Sequence, residues 1–207
     1  MTDQIPSPAK ERLLHLMRVL EQRKGVSVTS AEVEALTGWA SHTIRKDISW
    51  LGGDFGSSNG YHGEALVPAI KAALGLERRR RFCVVGLGRL GSAFLNFPAA
   101  DLGEFELAAG FDSNVNRVEI LKSPAPLYPA YKMAEVIGRF AIETALLCVP
   151  AAAAQAAAEK LAAAGIRGIL NYAPVALSLP PELAVRNVFV LDELRSLAVK
   201  MSNGVYI

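Results

Sequence analysis

The chain has 207 residues, 51% of them hydrophobic, and a formal net charge of +2, which suits one large or two small domains. No apolar run reaches the ~18 residues that a membrane-spanning helix needs, and the N-terminal residues lack the apolar core of a signal peptide. We therefore expect a cytoplasmic protein without a membrane partner, and the three scattered histidines predict no metal site.

The first predicted elements are helices separated by turn signals. Residues 8–23 place their apolar side chains on one stripe, which is typical of an amphipathic helix. A capping box at 29–32 predicts the start of a second helix, with Val33 and Leu36 facing inward. Ser41 is the predicted N-cap of a third helix that runs to Leu51.

The second and third helices form a predicted helix-turn-helix, because a glycine-containing turn joins them and the third has a polar, partly basic outer face. The glycine-rich stretch 52–61 follows in the position of the wing of a winged helix. The predicted DNA-binding residues are Ser41, His42, Thr43, Arg45, Lys46 and Ser49 on the helix, and Ser57, Ser58, Asn59 and Tyr61 in the wing.

A small helical domain that binds protein, or that only dimerises, is the alternative for this module. Residues 1–75 contain equal numbers of basic and acidic side chains, whereas phosphate contacts dominate DNA affinity. A further helix is predicted at 65–76, with Pro68 in its first turn. The arginines at 78–81 either reach the DNA backbone or form a solvated linker, and the linker is favoured.

A strand, a tight turn and a helix are predicted at 81–97. An apolar run leads into Gly86-Leu87-Gly88-Arg89-Leu90-Gly91, and a helical pattern follows at Leu90, Ala93, Phe94 and Phe97. This arrangement indicates a dinucleotide-binding turn, in which Gly86 permits the turn, Gly88 admits a pyrophosphate and Gly91 allows close packing. The alternative is that these glycines serve packing alone.

A second strand at 105–112 ends in Asp112, about 20 residues after the glycines, where a carboxylate receives the ribose hydroxyls of a dinucleotide. After an irregular segment at 113–127, helices and strands alternate, which predicts an α/β fold with a doubly wound parallel sheet. The predicted helices lie at 133–140, 151–164 and 192–201, and the predicted strands at 143–149, 167–171 and 185–191.

Ligands on such sheets bind at the carboxyl ends of the strands. The predicted nucleotide-binding residues are therefore the turn 86–91 together with Asp112, Val149, Pro150, Asn171, Ala173 and Pro174. Two cysteines, Cys83 and Cys148, lie in apolar strand-like runs. Reduced, buried thiols are the favoured interpretation, and a disulfide or redox pair is the alternative.

Several segments together resemble the Rex family of bacterial redox-sensing transcriptional repressors. They include IPSPAKERLLHLMRVL, TIRKDISWLG, NGY, VVGLGRLGSA, AAGFD and AGIRGILNYAPV. The resemblance implies a winged-helix DNA-binding domain at 1–77, a Rossmann-like NAD(H)-binding domain at 78–191 and a C-terminal helix at 192–207 that is exchanged within a homodimer.

The resemblance also implies a mechanism. NADH is the effector ligand whose binding closes the dimer and releases a pseudo-palindromic operator DNA, and NAD⁺ or an empty site permits operator binding. Such a protein is a regulator and not an enzyme. That agrees with the residues, because no substrate domain is left over and every histidine precedes the glycine turn.

Four positions depart from the family pattern. Phe97 and Phe189 stand where relatives pair a tyrosine with an aspartate, Asn114 replaces a second acid, and the wing lacks an arginine before Gly60. These differences leave an alternative function open. In that alternative the chain is a Rex-like regulator with altered or lost redox sensing that binds another adenine nucleotide, such as a coenzyme A derivative, or binds DNA weakly.

Overall fold

The computed structural model describes residues 5–23, 25–57 and 60–202, except for the side chain of Ser57. The chain divides after Arg78 into two compact units. Within the described ranges, no helix combines the length and the apolar character needed to cross a membrane.

The first unit is a helical domain with a small antiparallel sheet of order β1-β3-β2. Its core is formed by apolar side chains of α1, α2, α3 and α4, such as Leu13, Val33, Ile48 and Ile70. The elements are α1 (Ser7–Gln22), β1 (Ser27–Val28), α2 (Ser30–Thr37), α3 (Ser41–Ser49), β2 (Gly56–Ser57), β3 (Gly60–His62) and α4 (Gly63–Leu74).

The capping box of α2 forms as predicted. The Thr29 N–H donates to Glu32 Oε2 over 2.8 Å and the Glu32 N–H donates to Thr29 Oγ1 over 3.2 Å, which satisfies two N–H groups at the helix start. Val33 is buried, but Leu36 is 49% exposed, so its predicted inward orientation is wrong. Val33 is the one residue of this short helix that is buried in the core.

Three predictions about helix boundaries are also wrong. Ala40 is the N-cap of α3, and Ser41 is its first helical residue, with its N–H donating to Glu34 Oε2 over 3.1 Å. The Ser41 hydroxyl donates to the same carboxylate, so it cannot cap its own helix. The helix ends at Ser49 rather than at Leu51. Pro68 lies in the second turn of α4, because that helix starts at Gly63.

The second unit is a six-stranded parallel sheet of order β6-β5-β4-β7-β8-β9. This is the doubly wound order in which the chain moves outward in both directions from β4. Its elements are β4 (Arg80–Val85), α5 (Arg89–Leu95), β5 (Phe105–Asp112), α6 (Val115–Ile120), β6 (Leu127–Pro129), α7 (Met133–Phe140), β7 (Thr144–Leu147), α8 (Ala151–Ala163), β8 (Gly168–Asn171), β9 (Ala184–Asn187) and α9 (Val190–Ser202).

Helices α7 and α8 cover one face of this sheet, where alanines of α8 let the helix approach closely and Leu161 fills the larger gap. On the other face, α5 packs Leu95 against Phe82 and Val84 of β4. The fold class predicted for this part of the chain, a doubly wound parallel sheet, is confirmed.

Three local predictions in this unit are corrected. The segment 113–127 is not irregular, because Asn114 Oδ1 accepts the Arg117 N–H over 3.3 Å and caps α6, after which the chain enters the edge strand β6. Helix α5 buries Gly91 and Leu95, whereas Leu90 and Phe97 of the predicted pattern are exposed. The last strand ends at Asn187, and the last helix begins earlier than predicted, at Val190.

Candidate functional site

The turn after β4 accepts only glycine at two of its positions. Gly86 has φ +90°, and a Cβ there would lie 2.7 Å from the Cys148 carbonyl oxygen. A Cβ on Gly91 would lie 1.9 Å from the Gly86 carbonyl oxygen. Gly88 differs, because nothing lies within 4 Å of the place of its Cβ. The backbone at Gly88 is therefore accessible to a ligand, as a pyrophosphate requires.

Asp112 ties the end of β5 to the glycine turn. Its Oδ2 accepts the Leu87 N–H over 2.7 Å and an Arg117 Nη1–H over 3.0 Å, and its Oδ1 accepts the Asn114 N–H over 2.8 Å. Burial alone would raise the pKa of Asp112, which is 5% exposed. The two backbone donors and the Arg117 charge outweigh burial and lower that pKa below its ordinary value.

A cavity of about 710 Å³ opens beside these groups, at the carboxyl ends of the strands. Its lining includes five of the predicted nucleotide-binding residues, namely Gly86, Gly88, Asp112, Val149 and Pro150. The turn and the acid, which are far apart in the chain, are thus brought to one cavity. The other predicted residues are Leu87, Arg89, Leu90, Gly91, Asn171, Ala173 and Pro174, which lie outside its lining.

Asn171 has a structural role. It is fully buried, its amide donates to the Val175 carbonyl over 2.8 Å and to Asn187 Oδ1 over 2.9 Å, and its Oδ1 accepts the Ala173 N–H over 3.0 Å. The side chain therefore holds the loop after β8 in place and joins it to the end of β9.

Sequence reasoning missed part of the cavity wall. Arg117 of α6 and Lys160 of α8 line it, and so does an apolar strip of alanines on α8, at 153, 156 and 157. The alanine strip gives a flat apolar surface that suits a planar base. Arg117 could have been found from its position, five residues after Asp112, but it was overlooked because this segment was predicted to be irregular.

The cysteines are free thiols. Cys83 pairs in register with Ala145, so Cys148 lies three residues farther along the neighbouring strand, and the two thiols pack in different core clusters. This separation is too large for a disulfide between the two cysteines, so the redox-pair alternative is wrong in its disulfide form. Burial raises the pKa of Cys83 and of Cys148 to about 12.

Helix α3 carries most of the predicted DNA-binding side chains. His42, Arg45, Lys46 and Ser49 are exposed, whereas Ser41 and Thr43 are half-buried. The Ser49 hydroxyl donates to the Lys46 carbonyl over 2.7 Å. The outer face of the helix is therefore polar and basic, as predicted from its sequence.

The inner face of α3 is held by an ion pair that the sequence pattern did not reveal. Arg12 Nε donates to Asp47 Oδ2 over 2.6 Å, and Arg12 Nη2 donates to Asp47 Oδ1 over 2.8 Å. This two-point contact fixes α3 against α1 both along and around its axis. Asp47 therefore does not oppose the basic outer face, because its charge is compensated inside the domain.

The predicted wing contains the antiparallel strands β2 and β3. Tyr61 of β3 is half-buried and pairs with Gly56 of β2 and with Val28 of β1. Ser57 lies in β2, but its side chain is outside the described part of the structure, as are the residues Ser58 and Asn59. The DNA-binding prediction for those three side chains stays a prediction.

Two arginines of the 78–81 cluster make contacts within the sheet unit. Arg80 Nη1 lies 3.5 Å from Glu143 Oε2. Arg81 Nη1 donates to the Phe140 carbonyl over 3.0 Å, and its Nε lies 3.6 Å from Glu106 Oε2. These contacts occupy the start of β4 and favour a structural role for both side chains over a role in DNA binding.

An apolar surface remains on the sheet face opposite α7 and α8. A cavity of about 540 Å³ lies there, lined by Phe97, Leu146, Val185 and other residues of β4, β7, β8 and β9. Helix α9 is exposed along its whole length and presents Leu191, Leu194 and Leu197 on one stripe. Both features are typical of surfaces that another chain covers.

Comparison with known proteins gives a consistent result along nearly the whole chain. A family model described as the CoA binding domain matches residues 77–175. The redox-sensing transcriptional repressor Rex of Thermus thermophilus is 40% identical over 204 residues, which cover 96% of this chain and 95% of that protein. The repressor of the same name from Limosilactobacillus reuteri is 33% identical over 202 residues, which cover 96% and 94%.

Solved structures agree with this. RSP, described as a Rex-family repressor, superposes with a TM-score of 0.83 at 27% identity, over 97% of this chain and 96% of that one. RSP in complex with beta-NADH gives a TM-score of 0.84 at 26% identity, over the same shares of the two chains. RSP in complex with beta-NAD+ and operator DNA gives 0.83 at 26% identity, over 97% and 94%.

Proposed function

The chain belongs to the Rex family of redox-sensing transcriptional repressors, and from this premise we propose that it is a DNA-binding repressor that senses the NADH/NAD⁺ ratio. NADH binding releases the operator, and NAD⁺ or an empty site permits operator binding. The observation that carries the proposal is the cavity in which Gly88 is open and Asp112 is hydrogen-bonded to the glycine turn. The proposal includes a cytoplasmic location, because a bacterial regulator of this kind must reach the DNA.

The residues present suit the adenosine half of NAD(H). Gly88 leaves room for the pyrophosphate, Asp112 offers carboxylate oxygens to the ribose, and the alanine strip of α8 supplies an apolar wall for the adenine ring. The dinucleotide acts here as a ligand whose binding free energy shifts a conformational equilibrium. No catalytic role is proposed for any side chain of this cavity.

The DNA-binding part of the proposal depends on α3. Its exposed face carries Arg45 and Lys46, and the part-buried Arg12–Asp47 pair fixes the orientation in which that face is presented. Because the N-terminal module is nearly neutral overall, affinity for DNA must come from the local placement of these cations and from two modules acting together.

We further propose a homodimer whose last helix is exchanged between subunits and which binds a pseudo-palindromic operator. The domain roles are DNA binding for residues 1–77, NAD(H) binding for 78–191 and dimerisation for 192–207. The exposed leucine stripe of α9 and the apolar cavity on the sheet of the same unit support this assembly. Burying both removes apolar surface from water, which favours association.

A second function has a specific observation in its favour. The matching CoA binding domain model supports a regulator that responds to a coenzyme A derivative or another adenine nucleotide. The positions of Phe97 and Phe189 support it as well, because a tyrosine and aspartate pair belongs to the coupling between NADH and domain closure in this family. Titration of coenzyme A and acetyl-coenzyme A in competition with NADH distinguishes the two functions.

The test of the main proposal uses the full chain and an operator selected from a random DNA library without dinucleotide. Operator affinity is measured by fluorescence anisotropy at constant salt, since DNA affinity depends steeply on salt. NADH should weaken binding at least tenfold relative to NAD⁺, a difference of about 1.4 kcal/mol. Equal affinity with both dinucleotides would rule out the switch.

A matched pair of variants tests the DNA-binding surface in the same assay. Arg45→Ala should weaken operator binding by about 1–3 kcal/mol if Arg45 contacts a base edge. Arg18→Ala removes the same charge from an exposed position on α1 and should change affinity much less. Equal losses in the two variants would show that α3 is not the recognition helix.

A further inference from the structure

The start of helix α3 is held by a side chain from another helix. Its N-cap residue, Ala40, has no polar side chain, and its first turn contains no acidic residue. Helix α2 supplies what is missing, because Glu34 Oε2 accepts the Ser41 N–H over 3.1 Å and also accepts the Ser41 hydroxyl. A carboxylate in this place satisfies an N–H group that has no partner within its own helix, and it interacts favourably with the helix dipole.

The same contact joins the two helices of the helix-turn-helix. Within α2, whose residues are all described, Val33 alone is buried, so apolar packing by itself restrains the rotation of this helix weakly. The turn adds one polar contact, in which the Trp39 N–H donates to Thr37 Oγ1 over 3.3 Å. The Glu34–Ser41 contact spans the whole turn and therefore sets the position of α3 relative to α2.

Helix α3 is thus fixed by polar contacts at two places. Ser41 attaches its N-terminal end to α2, and Asp47 attaches its inner face to Arg12 of α1. Ser41 and Asp47 are six residues apart, or about 9 Å along the helix axis, so the helix cannot pivot about either contact. The N-terminal contact matters more for recognition, because residues near the N-terminus of a recognition helix reach the base edges.

Glu34 also acts electrostatically on residues that are predicted to contact DNA. The Ser41 hydroxyl and N–H lower the pKa of Glu34, and His42 and Arg45 contribute in the same direction. An ionised acid beside these side chains would repel DNA phosphates if it were only a surface charge. A surface role and a positioning role therefore predict opposite effects of its removal on operator affinity.

We propose that Glu34 is a positioning residue for DNA recognition, which holds the N-terminal end of α3 through Ser41. Ser41 then serves this contact within the domain and does not bind DNA itself. The exposed side chains of α3, with Arg45 foremost, bind the DNA. This inference rests on the proposed DNA-binding function of α3 and is independent of the nucleotide.

The experiment measures the affinity of the full chain for its selected operator and for a scrambled duplex, by fluorescence anisotropy at constant salt. Glu34→Ala should weaken operator binding at least about tenfold. Its affinity for the scrambled duplex should stay the same or rise, because the cations remain and one acid is lost. Glu34→Gln keeps an oxygen that can accept both Ser41 donors, so it should retain operator affinity within about threefold. Circular dichroism checks that each variant is folded.

Two further variants separate positioning from direct contact and from helix capping. Ser41→Ala should weaken operator binding in the wild type but not in the Glu34→Ala background, because both substitutions remove the same contact. Ala40→Ser supplies an ordinary N-cap side chain. The double variant Glu34→Ala/Ala40→Ser should therefore regain stability in urea unfolding without regaining operator affinity.

Three results overturn the inference: unchanged or stronger operator binding by Glu34→Ala, an undiminished effect of Ser41→Ala in that background, or full recovery of affinity with Ala40→Ser. Operator binding that Arg45→Ala weakens and Glu34→Ala does not would refute the inference and leave the proposed function standing. A wild-type chain that selects no operator would refute the proposed function, and the inference with it.

Discussion

At the scale of single residues, the geometry of the site depends on two positions where adding or removing a few atoms would disrupt the glycine turn. Gly91 packs against the Gly86 carbonyl, and Asp112 accepts hydrogen bonds from two backbone N–H groups and from Arg117. Both residues were predicted from the motif and the strand that follows it. The third partner, Arg117, was not predicted, because its role depends on α6 bringing it back toward the end of β5.

Gly91→Ala should destabilise the second unit by about 3 kcal/mol or more, because a Cβ at 1.9 Å from the Gly86 oxygen forces the backbone apart. The control is Gly138→Ala in α7, where nothing lies within 4 Å; there alanine should stabilise the helix by about 0.5–1 kcal/mol. Urea unfolding followed by circular dichroism measures both changes. A tolerated Gly91→Ala would show that the turn can open.

Asp112 should contribute to stability in a pH-dependent way. Its pKa in the folded chain is lowered, so its contribution is fully present above the ordinary pKa of an aspartate and is lost as the pH falls through the folded pKa. Asp112→Asn should cost about 1–3 kcal/mol at pH 7, because it leaves donors unpaired. Unfolding at pH 7 and at pH 3 checks this: the gap between wild type and variant should shrink at pH 3, and a constant gap would contradict it.

At the scale of elements, regular patterns were easier to predict than the contacts between them. The bounds of β5 and α7 are the predicted ones, because a buried strand and an amphipathic helix leave strong periodic signals. The edge strand β6 was missed, since Pro126 precedes it and Pro129 is its last residue, and proline is typical of loops. Ser41 was misplaced because Glu34, seven residues earlier, takes its hydroxyl.

The Arg12–Asp47 pair shows most clearly which contacts cannot be predicted from the sequence. The two residues are 35 positions apart, on α1 and α3, and no local pattern distinguishes a buried aspartate from the exposed ones around it. From the sequence, Asp47 counted as a charge opposing DNA. In the fold it holds α3 against α1.

Arg12→Ala should destabilise the first unit by about 3 kcal/mol, because it leaves the buried Asp47 carboxylate without its partner. The double variant Arg12→Leu/Asp47→Leu should recover most of that loss, because it leaves no unpaired charge in the contact. Operator affinity measured on the folded double variant separates stability from positioning. We expect weaker DNA binding even at full stability, whereas unchanged affinity would mean that α3 is oriented by apolar packing alone.

At the scale of the whole molecule, each unit contains surfaces that suit a different partner. The helical unit presents a polar face on α3, and the sheet unit presents the apolar stripe of α9 and the apolar cavity beside Val185. The proposed dimer would bring two α3 helices to one DNA and cover the apolar surfaces at the same time.

Leu194→Asp should therefore shift the chain from dimer to monomer, because a charge on the stripe that the proposed dimer covers would lose its hydration on association. Leu194 is 55% exposed within a single chain, so the variant should fold normally. Ser196→Asp adds the same charge off the stripe and should leave the dimer intact. Sedimentation velocity distinguishes these outcomes, and a dimeric Leu194→Asp would place the interface elsewhere.

The low reactivity of the Cys83 and Cys148 thiols has a consequence for which cellular signals the molecule responds to. With each pKa raised to about 12, only about one thiol in 10⁵ is a thiolate at neutral pH, and peroxides attack the thiolate. Treatment with hydrogen peroxide at concentrations that spare its methionines should leave operator binding unchanged. The protein would then report the supply of reducing equivalents and ignore oxidative stress, keeping apart two signals that a reactive cysteine would mix.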